Sequence, residues 1–400
     1  MRGHERPADW VPEVAGILTA DQLIATGQSI AAAQQADGSI GWPDGHVDAW
    51  NHVECAMALS ACGLRGPARR AYAWLAATQR PDGSWPVQTA DGSVPDLAAE
   101  SNHAVYPAVG VWHEFLVTGD AAFAARMWPL VRGGVDFALG LQAPGGEIIW
   151  RRRGDGTADD YALLTGCASM YQGLRCAIAL GDHLGEGQPD WELAADQLGH
   201  AVACHEYAFA DKSRFAMDWY YPVLGGPLRG AAGSDRLTRG WDTFVVPGLG
   251  VRCVSDQPWV TGAETCELAI ALDVLGDQAQ ALDLLEQIQH LRDPGGGYWT
   301  GWQFANQAHF PNEQSSWTAA AVVLAADALS GATGGAGIFA DVRAANIRAA
   351  NITAADVTAA NIGTANISDG PALTTATTPA SGAACDCRSA DPLSGPLKHS

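Results

Sequence analysis

The sequence predicts an all-α protein built as an (α/α)6 toroid, a ring of six inner helices inside six outer ones. Two patterns and their punctuation carry this. Six runs, 48–62, 101–118, 160–184, 216–224, 259–276 and 313–330, read as buried inner helices; 259–276 is apolar nearly all round, as a helix covered on both sides requires. Between them lie amphipathic partners at 18–36, 64–80, 121–142, 190–209, 232–240 and 278–291. The contrast is plainest between ETCELAIALDVLG in the fifth inner run and QAQALDLLEQIQHL in its partner. Runs with strand character are too few for a parallel sheet.

The punctuation is a helix ending in Gln, a Gly-containing turn and an aromatic residue. Gln35 leads through ADGSIGW to Trp42, Gln79 through RPDGSW to Trp85, Gln142 through APGGEIIW to Trp150, and Gln289 through HLRDPGGGYW to Trp299. Gly permits the left-handed conformation that stops a helix, and the aromatic covers apolar surface beneath the turn. The fourth pair is the least regular, because Pro222, Gly225 and Gly226 interrupt SRFAMDWYYPVLGG.

Apolar residues make up 48% of the 400 residues, enough for a large core. The net charge of −21 argues against nucleic acid and against an anionic membrane surface as partners. The opening MRGHERPADWVPEV lacks the apolar run of a secretory signal, and no stretch is long enough for a membrane span. A cytoplasmic protein is expected. Seven of the nine cysteines lie mostly on apolar helical runs, without CxxC pairing, and read as small buried hydrophobes. Cys385 and Cys387 have no assignable role. No metal site and no cofactor are expected: there is no P-loop, nucleotide fingerprint or GxSxG.

Two resemblances follow from the punctuation. TQRPDGSWP resembles the QW repeat of the prenyltransferase and squalene-cyclase superfamily at Gln79, Gly83 and Trp85. The segment from Phe115 to Trp150 resembles the six-hairpin glycosidases at Gly119, Asp120, Phe123, Trp128, Pro129, Asp136, Phe137, Gln142 and Trp150. Both superfamilies are (α/α) toroids. Residues 10–332 also resemble actinobacterial prenyltransferase-like proteins, leaving 1–9 as an N-terminal extension. From Ala340-Asp341-Val342 to Ala365-Asn366-Ile367 a five-residue unit recurs. Residues 333–369 thereby resemble a short pentapeptide-repeat stub, which implies a β-helix, and 370–400 have the composition of a disordered tail.

In a toroid all inner helices start at one end, where the cavity opens. Residues at those starts are therefore the candidates, among them Asp48, His52, Glu54, Glu100, Asn102, His103, Asp159 and Asp160. Asp218, Glu264, Glu100 and Glu313 are the candidate catalytic acids. Trp50, His52, His103, Tyr106, Asp160, Trp219, Tyr220, Trp259 and Trp317 are the candidate substrate contacts. Carboxylates beside aromatic planes suit a sugar: acids move protons and flat rings cover C–H faces. Glu264 in WVTGAETCELAIAL sits one turn inside its helix, with Glu267 deeper on nearly the same face. Competing readings are helix capping for Asp48, Asp159, Thr261 and Glu313 and satisfied core positions for His52 and His103.

The chain therefore reads as a glycoside hydrolase-like enzyme acting on a small molecule or oligosaccharide. A prenyltransferase or terpene cyclase with an isoprenoid substrate is the alternative, although DxDD and DDxxD are absent; DGTADD carries Thr157 where an Asp is needed. A non-catalytic toroid that binds glycan or protein is the third reading.

Overall fold

The computed structural model describes residues 11–340, apart from 91, 92 and 95. In chain order it contains α1 (Ala20–Ala33), β1 (His46–Val47), α2 (Ala49–Ala61), α3 (Arg65–Thr78), β2 (Thr89–Ala90), β3 (Ala99–Glu100), α4 (Ser101–Val105), α5 (Pro107–Thr118) and α6 (Ala121–Leu139). Then come β4 (Arg151–Arg152), α7 (Leu164–Leu184), α8 (Pro189–Cys204), α9 (Ala216–Leu224), α10 (Gly230–Phe244), β5 (Val245–Val246), β6 (Gly250–Val251) and β7 (Trp259–Thr261). The last are α11 (Gly262–Val274), α12 (Gln278–Gln287), β8 (Gly301–Gln303), β9 (Ala308–His309) and α13 (Ser316–Ser330).

The inner ring is α2, α4–α5, α7, α9, α11 and α13. Each packs on the next, and α13 packs back on α2, so the ring closes. The outer layer is α1, α3, α6, α8, α10 and α12. Burial follows the sequence pattern: Gly262 to Leu272 of α11 and Thr318 to Asp327 of α13 are buried without interruption, whereas α12 buries only Ala281, Leu284 and Leu285. The second inner run is split at Pro107, whose ring and missing N–H break the helix.

The turns differ in register from the sequence reading. The repeating unit is a residue at the helix end, a Gly four later and a buried apolar residue two after that: Gln34–Gly38–Ile40, Gln79–Gly83–Trp85, Gln142–Gly146–Ile148 and Arg292–Gly296–Tyr298. Gln35 and Gln289 are therefore not the repeat positions, and only Trp85 of the four tryptophans fills the buried one. Each Gln amide donates to its own turn Gly and to the next outer helix: Gln34 to Pro67 O (3.0 Å), Gln79 to Leu130 O (2.8 Å) and Gln142 to Ala194 O (3.0 Å). Arg292 reaches Gln22 O of α1 at 3.4 Å. The unit thus stitches neighbouring outer helices together.

At one end the loops form small antiparallel sheets: β1 with β2, β3 with β4, and a five-stranded sheet in the order β5-β6-β7-β8-β9. Strand β7 runs directly into α11. The C-terminal side holds a second departure. The packed body does not stop at 332, because Ile338 and Phe339 are buried. Gln172 donates to Ile338 O (3.2 Å) and Arg229 to Phe339 O (2.8 Å). The start of the segment 333–369 is therefore toroid. The remaining repeats, the tail with Cys385 and Cys387, and residues 1–9 lie outside the described residues. Among the described residues no helix is long and apolar enough to cross a membrane.

Candidate active site

Counting from the first residue of each inner helix orders the side chains in layers. The second and third positions hold Trp50, Asn102, His103, Asp218, Glu264 and Trp317; the sixth holds Glu54, Tyr106, Tyr221 and Glu267. Three residues of helix are about 4.5 Å of depth, so the second set forms a floor beneath the first.

The floor is a network of acids and phenols. Glu54 Oε1 accepts from Trp50 Nε1 (3.0 Å) and from the Tyr106 hydroxyl (2.9 Å). Glu267 accepts from the Tyr221 hydroxyl (2.8 Å) and from the Tyr220 hydroxyl. The Trp50 ring meets Tyr221 edge-on at 5.7 Å, linking opposite walls of the ring. Burial pushes the Glu54 carboxyl up to about 7. Burial, and then the charge of Glu54, push Glu267 well above the usual carboxylate range.

These raised values make the folded state bind protons that the unfolded chain has released. The stabilisation is complete below about pH 4.5 and fades as pH rises through about 7. The stability of Glu54→Gln relative to the natural protein should therefore rise across that window, read as urea midpoints at a series of pH values. A difference that stays flat with pH would remove the buried acid from the account.

Above the floor, Glu264 is buried, and its Oε2 has no hydrogen-bond partner among the described residues. The Cys253 thiol is its neighbour: burial, then the Glu264 carboxylate, raise the thiol's pKa. Asp48 caps α2. Its Oδ1 accepts from Asn51 N (2.9 Å), and its Oδ2 from Asn51 Nδ2 (2.7 Å) and Trp42 Nε1 (2.9 Å). Burial would raise Asp48, but His103, Asn51 and Trp42 together outweigh it and hold the carboxyl below its ordinary value. His103 Nε2 lies 3.6 Å from Glu100 Oε2 at the end of β3, and its Nδ1 has no partner among the described residues. Both α2 and α11 pack against α13, whose Trp317 stands between Asp48 and Glu264 in ring order.

The other expected residues are scattered. Asp218 and Trp219 turn to their own side of the ring: Asp218 Oδ1 accepts from Thr165 Oγ1 (2.5 Å) and Thr165 N (3.3 Å), and Trp219 Nε1 donates to Arg236 O (3.0 Å). Glu313 is half-buried on the loop before α13, its carbonyl accepting from Thr300 N (3.0 Å). Trp259 lies on β7 against Phe310 at 4.7 Å. Asp160 is exposed beside Asp159, which binds Arg151 and Arg153. His52 is a packing residue and not a substrate contact. Its Nδ1 accepts from Ile40 N (3.1 Å), its Nε2 donates to Ala71 O (2.9 Å), and burial pushes it down to about 4. Sequence reasoning names Glu54 among the candidates at the helix starts and Glu267 deeper on the face of Glu264; what it does not supply is that a sixth-position rule along the inner helices groups Glu54, Tyr221 and Glu267 in one layer.

No family model matches the chain. A curated protein of Mycolicibacterium hassiacum, an MMP endo-(1,4)-3-O-methyl-alpha-D-mannosidase, is 53% identical over 335 residues, 84% of this chain and 93% of that protein. Among solved structures, a glycosidase variant in complex with glucose superposes with a TM-score of 0.58 at 14% identity, covering 78% of this chain and 98% of that one. A D-mannose isomerase gives 0.59 at 12% identity, with 78% and 97% covered. The cellobiose 2-epimerase of Spirochaeta thermophila gives 0.56 at 11%, with 77% and 95% covered. These structural likenesses show the six-hairpin toroid. The sequence match goes further: the chain belongs to the family of the M. hassiacum mannosidase and is a glycoside hydrolase-like, carbohydrate-active enzyme.

Proposed function

We propose that the chain hydrolyses internal α-(1→4) bonds of a polysaccharide containing 3-O-methylmannose, the substrate class in the name of its 53%-identical relative. The observation that carries the chemistry is Glu264, a buried carboxyl in the first turn of α11 with one oxygen unclaimed among the described residues. In this reading Glu264 donates its proton to the glycosidic oxygen as the C–O bond breaks. Water attacks the anomeric carbon and passes a proton to a second carboxylate. Asp48 is the best second carboxylate: it stays ionised although buried, and three donors leave room on Oδ1 for a water. The surroundings of Asp48 keep it charged, as a base requires. His103, Trp50 and Trp317 are proposed to hold the sugar, with Glu100 orienting His103.

An isoprenoid substrate fits less well. The acids and phenols of the floor are spent on one another, leaving no bare aromatic cage around a single protected acid.

The test is digestion of a 3-O-methylmannose polysaccharide by the purified chain, followed by mass spectrometry. Oligosaccharides of mixed length should appear from the first time points. Release of monosaccharide alone, or no release, would overturn the endo-hydrolase reading.

A further inference from the structure

A cleft of 540 Å3 opens between α9, α10 and residues 206–213. Nothing in the proposed chemistry uses it. Its volume lies in the range of about 300–1,000 Å3 that small-molecule sites occupy. We propose that it is an outer subsite that binds a neutral hexose residue of the glycan chain, beyond the bond that is cut; this rests on the hydrolase reading above.

Depth is the first argument. Asp218 lines the cleft from the third position of α9, and Glu264 occupies the third position of α11, the next helix in the ring. The cleft is therefore level with the proposed acid and at the same end of the toroid. An enzyme that cuts inside a chain must hold sugars on both sides of the bond.

Rigidity is the second. Both Thr165 donors go to Asp218 Oδ1, so Oδ2 of this buried carboxylate has no donor among the described residues. Arg236 is pinned by Nε to Trp219 O (2.7 Å), by Nη2 to Asp218 O (2.7 Å), and to Glu206. The Trp219 ring stacks on Phe244 at 5.2 Å and 15°. A Cβ at Gly240 would lie 2.4 Å from Trp219 Nε1, so the glycine makes room for the indole. A ligand entering here meets a fixed acceptor and a fixed indole at little ordering cost.

Charge is the third. The lining has three acids, Glu206, Asp211 and Asp218, against three bases, Lys212, Arg236 and Arg239. The balance favours neither an anion nor a cation, but it supplies donors and acceptors for hydroxyls. Tyr207 stands at the lip, 83% exposed, an aromatic face for C–H and methyl groups.

The test uses the full chain with Tyr207→Ala and, separately, Asp218→Asn. Tyr207 is exposed, so its loss leaves folding intact even if the buried Asn variant fails to fold. For Tyr207→Ala, the ratio of kcat/KM on a 3-O-methylmannose octasaccharide to that on a trisaccharide should fall about tenfold. In parallel, octasaccharide binding to Glu264→Gln and to Glu264→Gln/Tyr207→Ala is measured by calorimetry, with the same tenfold weakening expected. Losses equal at both lengths, or no loss in either assay, overturn the subsite. Length-dependent binding without any hydrolysis keeps the subsite and sinks the hydrolase reading. Hydrolysis with no length dependence does the reverse.

Discussion

Glu264→Gln should lower kcat by about two to four orders of magnitude, the usual worth of a positioned general acid. Gln keeps the volume and cannot release a proton. The fold should survive, because Oε2 makes no hydrogen bond whose loss would destabilise the helix. Circular dichroism and Tm should stay close to those of the natural protein, while product release, followed by mass spectrometry on the polysaccharide, nearly stops. Asp48→Asn should be equally slow, but less stable, since it weakens a helix cap that also anchors Trp42. Full turnover in Glu264→Gln would remove this residue from the chemistry and leave its free oxygen unexplained.

Gly83→Ala should be the most damaging small substitution in the ring, at about 4 kcal/mol or more. A Cβ there would sit 1.9 Å from the Gly133 carbonyl oxygen of α6, and φ is +87°. Neither problem has a cheap remedy: the contact is with backbone, and the left-handed conformation is strained for any L side chain. Moving α3 away from α6 would also break the Gln79 to Leu130 bond. Tm should fall by roughly 8 °C, with Gly45→Ala as the control for conformation alone, because that turn has φ +88° and open space around it. Equal losses in the two variants would mean that the close approach of the turn to α6 contributes nothing.

The helices were legible because burial writes itself into composition. The inner run at 216–224 was read to the residue despite Pro222, since its apolar side chains face neighbours on both flanks. Glu264 was legible for the same reason: a carboxyl inside an apolar helix near its start is conspicuous. The turns are marked in the sequence by glycine, but their phase is not. Trp42 and Trp150 are the conspicuous residues, whereas the buried slot takes Ile40 and Ile148, and an isoleucine carries no local mark of that role.

The sequence by itself determined the class of fold, the alternation of buried and amphipathic helical runs and the presence of acid–aromatic pairs. Only the tertiary structure decided how those acids divide. Glu54 and Glu267 meet tyrosines from other helices and form a floor, Asp218 is held by Thr165 beside a separate cleft, and His52 is spent on backbone. The reason is physical. A side chain's burial depends on its own helix and can be read from local pattern. Its hydrogen-bond partner lies on another helix far away in sequence, and that pairing is settled only when the ring closes.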